Sequence, residues 1–481
     1  MNTQSVEIGF LTSCQDYLLY IEGLPSARVN DLVVSSTGGR ALVTGLTPTR
    51  IEALMLDKIR VTPGETFALS ATGLQIPQGP VLLGRVINPL GQPLDGKAGF
   101  PPVGKKIDLD AIAPGIRMRK VIDQQLYTGF IAVDTLLPLG KGQRELIFGE
   151  ARSGKSTFLM DVIINQKNKN TLCVYTAIGR SEVDVKRLIK DIQKAQAERY
   201  TTVVAATSSD SAPLISIAPV VACTIAEHFV RDGWDVLLIF DDVGAHARYL
   251  REIGLLSGRI PGRESYPADI FHAHSHLMER AGNFNESFGN AAITLLPVIE
   301  TELENFTNLI PTNVMSMTDG HLLFTASLRS QGQFPAIDPD RSVSRVGHQT
   351  QKLLHKVVAD KIRSLLADFH ELERYGRFGS ELTAETQLLL KQGTIVTEIL
   401  KQEAGQPIEP SVQILLLTLA FTPFFNNRDV EFLKRNKQTL LRTFSTHVYF
   451  KNVETMTGSD DFTALVTFVK EGIKFLEEVC R

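Results

Sequence analysis

The chain has 481 residues, 43% of them hydrophobic and 21% charged, with a formal net charge of −3. That length calls for two to four domains with ordinary globular cores. The near-neutral charge balance does not point to nucleic acid or anionic lipid as the main partner.

In chain order, the N-terminal "MNTQSVEIGF" has no basic region followed by a long apolar run, so no secretory signal is expected. Residues 1–75 alternate short apolar runs with turns ("YLLYIEG", "DLVVSSTGG", "RALVTGL"), which predicts short strands in a small barrel or sandwich. The Gly- and Pro-rich stretch from 73 to 97 begins a linker. From about 120 to 330, buried-strand patterns alternate with helical ones. The strands are "RELIFG", "TLCVYTA", "TTVVAAT", "WDVLLIFDD" and "AAITLLPVI", and helical patterns follow the first four. That alternation predicts a parallel sheet covered by helices. Beyond 350 the apolar residues fall at helical spacing, as in "QKLLHKVVADKIRSLLADFHELERY". "ILLLTLAFTPFF" at 414–425 is too short to span a bilayer and contains Pro423, so it reads as a buried helix. Any membrane contact is expected to come through partners. The four cysteines, Cys14, Cys173, Cys223 and Cys480, have no metal-ligand spacing and read as reduced structural thiols.

The chemistry concentrates at "FGEARSGKST". Gly149, Glu150, Ala151, Arg152, Ser153, Gly154, Lys155 and Ser156 fit the pattern G-x-x-x-x-G-K-[ST], and Thr157 follows. A strand pattern enters the motif and a helix pattern leaves it, the context a phosphate loop requires. Glycines permit the tight turn, backbone N–H groups face phosphate oxygens, and the helix N-terminus favours negative charge. Lys155 is expected on the β and γ phosphates and the Ser156 hydroxyl on Mg²⁺. "DVLLIFDD" ends in carboxylates, and Asp241 stands where it would hold that magnesium, directly or through water. The chain is therefore expected to bind ATP or ADP with magnesium.

The chain resembles the noncatalytic α subunit of F-type ATP synthases. The resemblance rests on "LLGRVINPLGQPLDGK", "TGFIAVDTLLPLGKGQRELIFGEARSGKS", "IAPVVACTIAEHF", "RIPGRESYPADIFHAHSHLMERA", "LLPVIETE", "IPTNVMSMTDG", "SVSRVG" and "ELTAETQLLLKQG". These stretches keep the family's order within about residues 8–406; the extreme N-terminus and the last seventy-five or so residues match poorly. The resemblance implies an α/β RecA-like P-loop core between an N-terminal β-barrel and a C-terminal α-helical domain. The expected boundaries are 1–75, 76–350 and 351–481. It further implies an alternating ring of three α-type and three catalytic β-type subunits around a γ-type central stalk, with a peripheral stalk. The machine would sit on the cytoplasmic face of a bacterial membrane and couple ATP synthesis or hydrolysis to rotation and proton transport.

The catalytic paralogue of that family orients its attacking water with a glutamate after a strand-end glycine, and the α family has glutamine there. In "TAIGRSEVDV" this chain has Arg180. An arginine stays protonated and cannot serve as general base. Glu182, two residues on, would require a slipped register. The resemblance thus implies a pocket that holds ATP without efficient turnover, with Arg180 either on phosphate or in a strand-end salt bridge. Arg345 in "SVSRVG" matches an arginine finger that reaches the neighbouring catalytic site, and Ser342 shapes its loop. Glu300 matches a carboxylate near the nucleotide, and Glu302 adds a charge beside it. Gln402 matches a glutamine of the adenine pocket, with Gln406 as a second candidate. Phe334-Pro335 stands where the family has Arg-Pro. Arg152 replaces a glutamine inside the phosphate loop, where it would grip phosphate or face solvent.

His272 and His276 in "HAHSH" have a metal-like i, i+4 spacing, but their place in a matched stretch favours ordinary helix histidines. The family's N-terminal helical extension, which docks the peripheral stalk, has no counterpart before the barrel pattern, so a stator that attaches differently, or the lack of the usual one, is expected. Three other readings stay open. A self-sufficient homohexameric export-type ATPase would need its own catalytic glutamate. A RecA-type helicase would need a nucleic-acid-binding N-domain. A purely structural ring component would not need Lys155, Ser156 and Asp241.

Overall fold

A computed structural model of the chain describes residues 7–101, 105–301, 308–375 and 383–480. Glu302 lies outside these residues. The chain divides into two compact units that interleave along the sequence.

The first unit comprises Met1–Val121, Lys141–Gly149 and Gln166–Asp319. It opens with strands Ile8–Gln15, Leu18–Glu22, Leu32–Ser35, Arg40–Leu46, Ile51–Met55 and Thr66–Leu69. They close into a barrel whose circular order is first, second, fifth, fourth, third, sixth. The barrel, rather than the sandwich, is therefore what the short alternating runs encode. Its core holds Leu19, Ile21, Val33, Val43, Ala53 and Phe67. Closure leaves no unpaired strand edge.

The same unit carries a parallel sheet in the order Glu145–Glu150, Ala292–Thr301, Asp235–Asp241, Thr171–Arg180, Thr201–Thr207, Val86–Ile87. The pairs from Ala292–Thr301 to Val86–Ile87 all run parallel. The Arg144–Leu295 bridge carries the same direction to the Glu145–Glu150 strand. Helices cover both faces of such a sheet, so its strands read as continuous apolar runs: every residue of Thr201–Thr207 is buried.

Three strand ends hand over to a helix through a capping side chain. Ser181 accepts the Asp184 N–H at 3.1 Å, Ser211 the Leu214 N–H at 3.4 Å and Asp242 the Ala245 N–H at 3.1 Å. These caps start helices Glu182–Lys194, Ala212–Arg231 and Val243–Leu256. Ala212–Arg231 is apolar and long enough to cross a membrane, but 78% of that window is buried in the fold. Its Glu227 is paired with buried Arg280 at 2.6 Å.

The second unit gathers Ile122–Gly140, Glu150–Asn165 and Gly320–Arg481. Strands Gln125–Leu126 and Leu139–Gly140 pair antiparallel around helix Ile131–Leu136. Helix Lys155–Ile164 follows the phosphate loop, and Gly320–Phe324 pairs antiparallel with Val343–Ser344. Helices Leu353–Tyr375, Ala384–Leu400, Pro410–Leu419, Val430–Thr446 and Phe462–Glu477 build the C-terminal part. Ile131, Val358, Ile362, Ile399, Leu415, Leu440 and Leu465 share one core. The apolar run at 414–425 is the buried helix expected of it, continued by the turn Pro423–Phe425.

Buried Asp134 joins the early and late segments of this unit. It accepts the Thr128 and Gly129 N–H groups at 2.7 and 2.9 Å and Gln413 Nε2 at 2.8 Å. Asp161 accepts the Gly405 N–H on both oxygens, at 3.0 and 2.9 Å.

Candidate functional site

The phosphate loop forms as its spacing requires. Gly149 and Gly154 hold φ at 143° and 101°, open to glycine and strained for residues with a Cβ. No side chain caps the helix that begins at Lys155. Its first amides therefore face the loop, where an anion would complete them. Lys155 is 5% exposed. Its Nζ donates to the Glu150 carbonyl at 2.6 Å and to Ser153 Oγ at 3.5 Å. Ser153 Oγ donates to the same carbonyl at 2.7 Å, so the cation and the loop backbone are fixed together. Ala151, Arg152 and Ser156 are exposed, and Thr157 is half-buried. Arg152 adopts a left-handed φ of 59°. Glu150 turns aside to accept the Ala326 N–H at 3.1 Å. A loop of amides around one ammonium group suits a polyphosphate.

The Arg180–Asp241 pair lies at the C-terminal ends of adjacent parallel strands. Tyr175 donates from its hydroxyl to Asp241 Oδ2 at 2.5 Å, and Arg180 Nη2 donates to Asp241 Oδ1. Strand alternation alone would put residues 175 and 180 on opposite faces. The register shifts between Ile178 and Arg180, which restores the phase and brings both side chains to one carboxylate. Gly179 makes the shift possible: its φ is +64°, and a Cβ there would lie 2.4 Å from Tyr249 Cε2. Burial works against the Arg180 charge, but Asp241, by charge and hydrogen bond, with Asp242 behind it, raises its pKa above the ordinary arginine value. Burial and the Asp241 charge push Asp242 above the usual carboxylate range. They also push the Tyr175 phenol well up.

This arrangement bears on three expectations. Arg180 forms the strand-end salt bridge. Glu182 does not slip into its place; it accepts from Ser209 Oγ at 3.1 Å at the start of the next helix. A magnesium ion at Asp241 would need a carboxylate oxygen clear of other cations. Both oxygens already have donors, one of them a guanidinium, so these residues as arranged do not fit a metal there.

The other candidates are scattered. Gln402 is buried, and its carboxamide is taken up by backbone: Nε2 donates to the Gly129 and Gln406 carbonyls at 2.8 and 2.7 Å, and Oε1 accepts the Ile131 N–H at 3.3 Å. Gln406 pairs with Glu403 and Gln438. Phe334 lies 3.4 Å from where a Gly154 Cβ would be, with Arg329 over its ring at 5.0 Å. An aromatic ring thus backs the loop at the altered Arg-Pro position. Glu300 is exposed at the end of its strand. Ser342 Oγ donates to the Asp338 carbonyl at 2.5 Å and accepts the Leu323 N–H at 2.9 Å, pinning the 338–347 loop to the neighbouring strand. Arg345 projects from that loop and is exposed.

His272 and His276 stack at 5.9 Å, while His274 faces His246 at 3.4 Å in the interior. Among the described residues no three metal-ligating side chains cluster. Sequence reasoning missed Tyr175 and Gly179. The available signal was the glycine before Arg180 in a strand pattern, which marks a bulge.

A strand of a parallel sheet that opens into such a loop, followed by a helix, defines a P-loop nucleotide-binding protein. Residues 129–344 match the family model described as "ATP synthase alpha/beta family, nucleotide-binding domain", and 351–467 match "ATP synthase alpha/beta chain, C terminal domain". The "ATP synthase subunit alpha" of Mycoplasmoides gallisepticum is 38% identical over 469 residues, covering 97% of this chain and 90% of its own. That of Caldanaerobacter subterraneus subsp. tengcongensis is 36% identical over 96% and 91%. That of Lacticaseibacillus casei is 37% identical over 92% and 87%. The chain belongs to the ATP synthase alpha-subunit family.

Proposed function

We propose that this chain is a nucleotide-holding, noncatalytic subunit of a rotary F-type ATP synthase or ATPase. It would alternate with β-type subunits in a three-plus-three ring around a γ-type stalk, on the cytoplasmic face of a membrane, with proton transport as the coupled process. The observation that carries the reading is Arg180, a permanent cation at the strand end where a water-orienting carboxylate would stand. Lys155 and the loop amides bind the phosphates. Arg345, on a loop braced by Ser342, reaches the neighbouring catalytic site and offsets charge on the transferring phosphoryl group. Arg152, exposed on the loop, belongs to the pocket's rim in this reading. Gln402 contributes to the adenine side by shaping backbone, since its polar groups are already bonded.

Two measurements test this. The full chain alone should bind ATP and turn it over negligibly; sustained turnover would favour the self-sufficient hexameric ATPase instead. In the complex with its β-type partner, Arg345→Ala should lower turnover by about three orders of magnitude or more while ATP binding persists. Unchanged turnover would remove the finger assignment.

A further inference from the structure

Asp241 is 4% exposed, and its two oxygens face different donors: the Tyr175 hydroxyl and the Arg180 guanidinium. Asp242, the other carboxylate at this strand end, points its Oδ1 at the Ala245 N–H and caps a helix. A divalent cation binding directly to Asp241 would have to displace the guanidinium. That would leave a half-buried arginine with no carboxylate in contact, which is unfavourable for a desolvated charge. A cation bound through water would still sit close to Arg180 and be repelled by it. The arginine cannot relieve either conflict by losing its proton.

We infer that Arg180 has taken the place of the divalent cation at Asp241, so that this chain retains ATP with little dependence on magnesium. The inference rests on the nucleotide-binding reading above and deepens it. Arg180 acts here as a positioning residue. It neutralises Asp241 permanently, as a bound metal would otherwise do.

The test is equilibrium binding of ATP to the full chain by titration calorimetry, in excess MgCl₂ and in excess EDTA. The two dissociation constants should agree within about threefold. A loss of about tenfold or more in EDTA overturns the inference while leaving nucleotide binding intact. Absence of ATP binding under both conditions overturns the inference and the underlying reading together. Arg180→Gln frees one oxygen of Asp241 and should make binding metal-dependent by about tenfold or more. If Arg180→Gln folds, as judged by circular dichroism, and binds equally well with and without magnesium, the role given to Arg180 fails. Should it not fold, the comparison on the unaltered chain still decides.

Discussion

Asp241 and Asp242 are neighbours in sequence and opposite in use. One closes a charged triad with Tyr175 and Arg180; the other caps a helix. Nothing in the dipeptide distinguishes them until the strand's register says which faces the next strand. Lys155 is simpler, because its role follows from its place in the loop. Lys155→Met removes a charged donor and should weaken ATP binding about 10–100-fold in a calorimetric titration. Undiminished affinity would mean that nucleotide does not use this loop.

Asp161 supports a prediction about pH. Burial raises its pKa to about 6, only partly opposed by the Gly405 N–H. The folded chain therefore holds this proton more tightly than the unfolded chain, whose aspartates titrate near pH 4. The contribution is fully present below about pH 4 and is lost as pH rises through about 6, on the order of 3 kcal/mol in all. Asp161→Asn keeps an acceptor for Gly405 and should flatten that segment of the stability profile. Urea midpoints at about pH 4.5 and pH 7 would show it. An unchanged pH dependence in the variant would remove Asp161 as the cause.

At the scale of elements, helix ends are closed by side chains from elsewhere in the chain. Lys437, on helix Val430–Thr446, donates to the Glu398 and Ile399 carbonyls at 2.8 and 3.0 Å and also to the Lys401 carbonyl. These are the last carbonyls of helix Ala384–Leu400 and its exit, which have no acceptance within the helix. Lys437→Met keeps the aliphatic stem and leaves the carbonyls without this donor. It should cost about 1–3 kcal/mol, read as a lowered denaturant midpoint. No change would mean that water replaces the ammonium at no cost. A helical pattern reveals both helices but not this bond, which joins residues nearly forty apart.

At the scale of the whole molecule, the phosphate loop's helix and the C-terminal helices share one compact unit. Ile131 packs in the same core as Ile362, Ile399 and Leu415, and Asp161 and Asp134 are bonded from Gly405 and Gln413. Ending the chain after residue 350 should therefore abolish ATP binding and expose apolar surface, measurable as increased dye binding. A truncated chain that binds ATP normally would show that the loop does not need those helices.

Much of the fold is local information. Alternating short runs predict the N-terminal strands, continuous apolar runs the parallel sheet, and helical spacing the C-terminal helices, because period and composition act on neighbouring residues. The phosphate loop is legible for the same reason: glycines, lysine and serine act within eight residues of each other. The sequence alone also shows an arginine directly after the strand-end glycine. Only the tertiary structure decided what that arginine touches. The bulge at Gly179 brings Arg180 to the face of Tyr175, and both meet Asp241, sixty-one residues beyond Arg180, through sheet pairing. Barrel closure, the diversion of Gln402 to backbone and the joining of the loop helix to the C-terminal core are likewise long-range. They depend on which surfaces pack together, and that choice belongs to the folded chain as a whole.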